Sequence, residues 1–146
     1  GPLIVQWIEP NQPVAVITRV GSIMPLLNSA TGRAYGAFMA EEMVRPLMEL
    51  EWQHKLAQGQ QVYPENWSAF LTLKHEILQQ GMATVSGDLL AGVNAICVPI
   101  FNANQDVESC ISALGSECQL PIDASHPHVQ ALISTAQALT QLMTSA

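Results

Sequence analysis

Residues 93–101, Val-Asn-Ala-Ile-Cys-Val-Pro-Ile-Phe, are apolar at odd and even positions almost alike. Side chains of a strand alternate between its faces, so such a run must be covered on both sides. That requirement fixes the middle of a sheet and demands other elements above and below it. The rest of the chain supplies them in the order strand hairpin, helices, antiparallel strands, helix. This order implies an α+β fold, an antiparallel sheet with helices packed on its faces.

Residues 3–9 and 14–20 read as two strands joined by the turn Pro10-Asn11-Gln12-Pro13. A helix is expected over about 29–39. A second opens at Ala40-Glu41-Glu42, with acids at its positive end and Met43, Val44, Leu47, Met48 and Leu50 as its apolar face. Pro46 is tolerable in its first turns, and residues 53–66, with Gly59 and Pro64, read as loop. Residues 67–80 form an amphipathic helix with Trp67, Phe70, Leu71, Ile77 and Leu78 on one face, ended by Gly81. Short strands follow over 82–86 and 106–114, with a loop between Gly87 and Gly92 and a turn at 102–105. Asp123 and Ser125 are expected N-caps of a closing helix whose stripe is Val129, Leu132, Ile133, Ala136, Leu139 and Met143, with Pro127 in its first turn.

At 146 residues the chain is expected to be one domain with a proper core. Hydrophobic residues make up 49% and charged residues 12%, with a mean hydropathy of +0.21, which suggests apolar surface against partner subunits. Five Lys+Arg against 12 Asp+Glu give a formal charge of −7, so these residues should not themselves hold a phosphate backbone. No apolar run reaches the ~18 residues of a membrane span, and no signal peptide is expected. Cys97, Cys110 and Cys118 lack any Cys-x-x-Cys spacing, and the first two fall in strand-like runs. Free thiols and a reducing cytoplasm are the expectation. Gly1-Pro2 is either native or a protease-tag scar, and the chain starts inside a strand pattern.

The stretch most suited to a ligand is Met24-Pro25-Leu26-Leu27-Asn28-Ser29-Ala30-Thr31-Gly32-Arg33. Pro25 blocks helix behind it, and Asn28 and Ser29 are good N-cap residues. The helix start that follows offers unpaired N–H groups and a partial positive charge, enough to hold a carboxylate without a basic side chain. Ser29, Ala30 and Gly32 are small enough to let a ligand near that backbone. The plain alternative is a capped helix with small residues for tight packing.

Other constellations carry less. His126-Pro127-His128 lacks the further ligands of a metal set, so no metal is expected. His54 and His75 stand alone in polar surroundings, and Glu41-Glu42 suit a helix start better than a catalytic pair. Trp7, Trp52 and Trp67 are not interleaved with basic residues, which disfavours base stacking. No nucleophile elbow, Walker loop or dinucleotide fingerprint is present, so neither an enzyme nor a cofactor is expected.

The run 25–33, followed by Gln80-Gly81, the strand Gly92-Val93-Asn94-Ala95-Ile96-Cys97-Val98-Pro99-Ile100-Phe101 and Ile111-Ser112-Ala113-Leu114-Gly115, resembles the effector-binding domain of IclR-family bacterial transcription regulators. The likeness extends over nearly all of 1–146. It implies a GAF-like α+β domain whose pocket takes a small, usually acidic metabolite, in proteins that form dimers or tetramers. It also implies a helix-turn-helix domain for promoter DNA, absent from these residues, and an opening helix and first strand that are missing here.

Carried over by position, the resemblance places the ligand-facing backbone at Ala30 and Thr31, flanked by Ser29 and Gly32. Met24 and Leu26 lie beside it, and Val85, Val93, Ala95, Ser112 and Leu114 line the pocket from the strands. Val85 and Ala95 stand where polar groups can occur in the family. The expected effector is therefore an acid with a larger apolar body, an aromatic acid among the candidates. The competing expectation is a dimerisation module whose pocket is vestigial or plugged by Met24, Leu26 or Leu114.

Overall fold

A computed structural model describes residues 1–11 and 18–145. Among the described residues, four helices, α1 (Ala30–Phe38), α2 (Glu41–Ala57), α3 (Trp67–Gln80) and α4 (Pro127–Thr144), accompany three strands, β1 (Ala83–Ser86), β2 (Val93–Phe101) and β3 (Val107–Ser116). The sheet is antiparallel in the order β1-β2-β3, which puts the doubly apolar run at its centre as expected. The architecture is α+β.

Strand alternation divides β2 between two cores. Ile96, Val98 and Ile100 face α4, where Val129 and Ala136 are buried with Met82 and Leu120. Cys97 faces the other way, into a cluster formed by Ala30, Ala34 and Ala37 of α1, Ile77 of α3, and Ala83 and Val85 of β1. A third cluster joins Leu26 and Leu27 to Val44, Met48 and Trp52 of α2 and Phe70 of α3. The small α1 is thus clasped between the sheet and the α2–α3 layer.

Several expectations are corrected. Among the described residues, Leu3 forms an isolated antiparallel bridge to Ile23, Ile4 bonds through its backbone to Ser22 and Gly21, and Val5 and Ile8 are exposed. The expected strand 14–20 lies mostly outside the described residues. The loop expected from residue 53 begins later, because α2 continues to Ala57, with His54 and Lys55 in its last turn where the helix dipole favours cations. Its buried face is Val44, Met48 and Trp52, spaced four apart, while Met43, Leu47 and Leu50 are exposed. On α3, Phe70 and Ile77 are buried whereas Leu71 and Leu78 are exposed, and Met143 of α4 is exposed as well. Neither Asp123 nor Ser125 caps α4. Pro127 occupies the first helical position, so the cap falls on His126, whose Nδ1 accepts the His128 N–H at 3.3 Å. The Asp123 carboxylate instead accepts the Ser125 backbone N–H and hydroxyl, which hold its pKa below the ordinary value.

Candidate functional site

Helix α1 starts where the sequence places it, and its first turn is built by local chemistry. Ser29 is the N-cap: its Oγ accepts the Gly32 N–H at 2.9 Å and donates to the Pro25 carbonyl at 2.6 Å. The preceding amides are also occupied. Leu26 and Leu27 donate their N–H groups to the two carboxylate oxygens of Glu51 at 2.7 and 3.2 Å. Ala30 and Thr31, the first two residues of α1, line a cavity, and the first N–H groups of a helix have no intrahelical partner.

That cavity lies between the α1 start and the sheet. Val85, Ala95 and Leu114 are register partners across all three strands and form one continuous apolar wall. Met24 and Val93 close its sides, and Ser112 reaches it from β3. The space is narrow and largely apolar, about 490 Å³ when the open mouth is counted but only about 60 Å³ where the centre of a water-sized molecule fits. A hydroxyl pair crosses its floor, with Thr31 Oγ1 2.8 Å from Ser112 Oγ. Beneath, the Cys97 thiol is fully buried. The Cys110 thiol beside it and its own burial push its pKa well above the usual value near 9, and the Ser112 and Thr31 hydroxyls oppose that rise. Cys110, only part-buried, is lowered by the same Cys97 contact against the effect of burial.

Nine of the expected site residues therefore come together around the cavity: Met24, Ser29, Ala30, Thr31, Val85, Val93, Ala95, Ser112 and Leu114. Two do not. Leu26 turns away into the α2–α3 cluster, and Gly32 is pressed against the backbone of Pro25 and Leu26. The smallness of Gly32 thus serves packing, and its N–H is already taken by Ser29.

Four lining residues lay outside the sequence reading: Thr18, Leu89, Leu90 and Ala113. Leu89 and Leu90 carry a readable signal, two large apolar residues in a short loop bracketed by glycines.

The role of Arg33 was also missed. It is only 3% exposed, and its guanidinium donates to the Leu27 carbonyl (2.7 Å), the Tyr63 carbonyl (2.7 Å) and, more loosely, the Thr84 carbonyl (3.4 Å). Its Nη2 also pairs with Asp88 at 2.9 Å. One cation thereby ties the α1 approach, the α2–α3 loop, β1 and the Gly87–Gly92 loop together.

Among the described residues no group of three His, Cys, Asp or Glu side chains is placed to hold a metal. His54, His75 and His128 are exposed, with the His126 and His128 rings 5.0 Å apart. No helix among the described residues is long and apolar enough to cross a membrane.

Comparison with known proteins agrees with this arrangement. Residues 2–141 match the family described as the bacterial transcriptional regulator IclR C-terminal domain. The crystal structure of Pseudomonas aeruginosa HmgR is 30% identical, with a TM-score of 0.83 over 97% of this chain and 54% of that one. The transcriptional regulator YaiJ is 23% identical, with a TM-score of 0.80 over 99% of this chain and 80% of its own. Thermotoga maritima IclR, 17% identical, shares the fold with a TM-score of 0.75 over 94% of this chain and 54% of its own. The chain thus spans about half the length of HmgR and of the Thermotoga protein. No curated protein matches it by sequence. The family is one of transcription regulators rather than enzymes, and by its sequence match and its fold this chain belongs to the IclR C-terminal domain family.

Proposed function

We propose that the domain senses a small organic acid on behalf of a DNA-binding regulator and carries part of its oligomer contacts. The observation that supports this most is the pairing of a narrow apolar cavity with two helix-start amides, Ala30 and Thr31, at its edge. A carboxylate placed there meets the N–H groups and the positive end of α1. The apolar body of the acid lies along Val85, Ala95 and Leu114, and a ring substituent reaches the Thr31–Ser112 hydroxyls. An aromatic or branched acid suits this wall better than a small keto acid, which would leave apolar surface without partners.

Met24 and Leu114 form walls of the cavity rather than a plug, and Leu26 packs elsewhere, which weighs against an occluded pocket. Binding of promoter DNA belongs to a separate domain, in keeping with a net charge of −7. Oligomerisation in the cytoplasm draws on exposed apolar side chains such as Met43, Leu47 and Leu50 on α2.

The test is an NMR titration of the ¹⁵N-labelled domain with benzoate. The largest amide shifts are expected at Ala30 and Thr31, with Gly32 moving less because its N–H stays with Ser29. Shifts confined to Arg45, on α2 and outside the cavity lining, would refute the site.

A further inference from the structure

We infer that the Gly87–Gly92 loop is a hinged strap over the cavity, whose Leu89 and Leu90 set the preference for the apolar part of the ligand, and that the Asp88–Arg33 ion pair holds it down. The inference rests on the effector-site reading above and extends it to residues outside the α1 turn and the strand wall.

The geometry has three parts. The strap starts and ends on glycines at φ +75° and +77°, a left-handed backbone that other residues adopt only with strain. Its stem is closed by backbone bonds, Gly87 N–H to the Val93 carbonyl at 3.0 Å and Val93 N–H to the Leu90 carbonyl at 3.1 Å. Just past its first glycine it is tethered through Asp88, whose carboxylate meets Arg33 and whose carbonyl accepts a long 3.4 Å bond from Asn28 Nδ2. Asn28 Oδ1 is buried without a partner, so that side of the tether is incompletely made.

Beyond Asp88, in the middle of the loop, Leu89 and Leu90 line the cavity while remaining 44% and 36% exposed. Two leucines left this wet gain most by closing on an apolar body in the cavity. Arg33 stays with the protein body, because Leu27 and Tyr63 hold its guanidinium from the α1 and α2–α3 sides. Opening therefore means release of Asp88, not movement of Arg33. A ligand that brings the leucines down strengthens that ion pair, and through Arg33 the strap is linked to the turn where the carboxylate sits.

The experiment follows hydrogen exchange at the Gly87 and Val93 amides, with benzoate as the probe. In the free protein, Asp88→Asn should lower protection of both amides about fivefold, with the exchange of α3 unchanged. Benzoate should raise protection of these amides in the wild-type protein. Leu89→Ser with Leu90→Ser should weaken benzoate binding about tenfold while Ala30 and Thr31 still respond. Unchanged protection in free Asp88→Asn overturns the tether. Benzoate shifts at Ala30 and Thr31 without any change at Gly87 and Val93 overturn the strap and leave the site reading intact. No benzoate binding at about 10 mM overturns the site reading and the role of the two leucines with it.

Discussion

A methyl group on Gly32 would run into the carbonyl oxygen of Pro25 and lie 2.6 Å from the Leu26 Cα. Both obstacles are backbone, so neither can swing aside. Gly32→Ala should therefore destabilise the domain by about 2–3 kcal/mol, although alanine favours helix by up to about 1 kcal/mol. Gly36, one turn on, is the control. Its added methyl would meet the mobile end of Met48 and the Phe70 ring at 3.0 Å, so Gly36→Ala should stay within about 1 kcal/mol of the parent. Urea unfolding of the two variants checks the contrast, and equal losses would refute the packing role given to Gly32.

Arg33 and Asp88 form one ion pair but should respond very differently to substitution. Arg33→Met strips donors from the Leu27 and Tyr63 carbonyls and leaves them in a nearly closed site. A loss of about 3–5 kcal/mol is expected, as for other buried charges removed from their partners. Asp88 is 38% exposed, and water can replace Arg33 as its partner. Asp88→Asn should cost less than about 1 kcal/mol of global stability, its effect appearing in the strap instead. Chemical denaturation separates the two, and comparable losses would show that Arg33 depends on Asp88 more than on the carbonyls.

These contrasts mark the boundary of what local sequence can carry. Helix α3 and strand β2 lie where the sequence places them, since the amphipathic spacing, Gly81 (at φ +70°) and the doubly apolar run are local signals. Helix α2 is apolar on two sides, so the sequence groups Met43, Leu47 and Leu50 with Val44 and Met48, while contact with Leu27 and Phe70 selects Val44, Met48 and Trp52. The lining residues Val85, Ala95 and Leu114 were expected from the family resemblance, and the register that brings them to one face is seen only in the paired strands. Arg33 was not expected, because its acceptors come from segments far along the chain and obey no periodicity. Leu26 and Gly32 misled for a related reason: a small or apolar residue beside a ligand turn can serve the core equally well.

The raised pKa of Cys97 makes stability fall in alkali. Below pH 9 the thiol is protonated in folded and unfolded chains alike, and it adds no pH dependence. Above that value the unfolded chain ionises first, while the Cys110 contact and burial keep the folded thiol protonated. For Cys97 the folded state then binds more protons, so its contribution to stability declines as pH rises, by up to about 1.4 kcal/mol per pH unit, while the lowered Cys110 acts with the opposite sign. In a Cys110→Ala background, where burial alone still raises Cys97, denaturation midpoints between pH 8 and about 10.5 should fall less steeply once Cys97→Ala is added. Parallel slopes would place the ionisation elsewhere.

Ala95 gives the sharpest test of ligand preference. It stands at the centre of the apolar wall, flanked in register by Val85 and Leu114, and its small side chain leaves the room in front of them. Ala95→Phe directs a ring into that room. The added side chain finds an apolar surface without displacing the buried Ile96 and Cys97 that follow it in β2, so the domain should still fold with a cooperative transition. Binding of benzoate-sized acids should be abolished. In the parent, thermal shift should rank benzoate above glyoxylate and pyruvate, because a ring buries more apolar area at roughly 25 cal/mol per Å² while all three carry the same carboxylate to Ala30 and Thr31. At about 100 times its Kd a ligand should add about 2.7 kcal/mol of stability, enough to read directly. If the smallest acids bind more tightly, or Ala95→Phe binds benzoate as the parent does, the ligand lies elsewhere than against this wall.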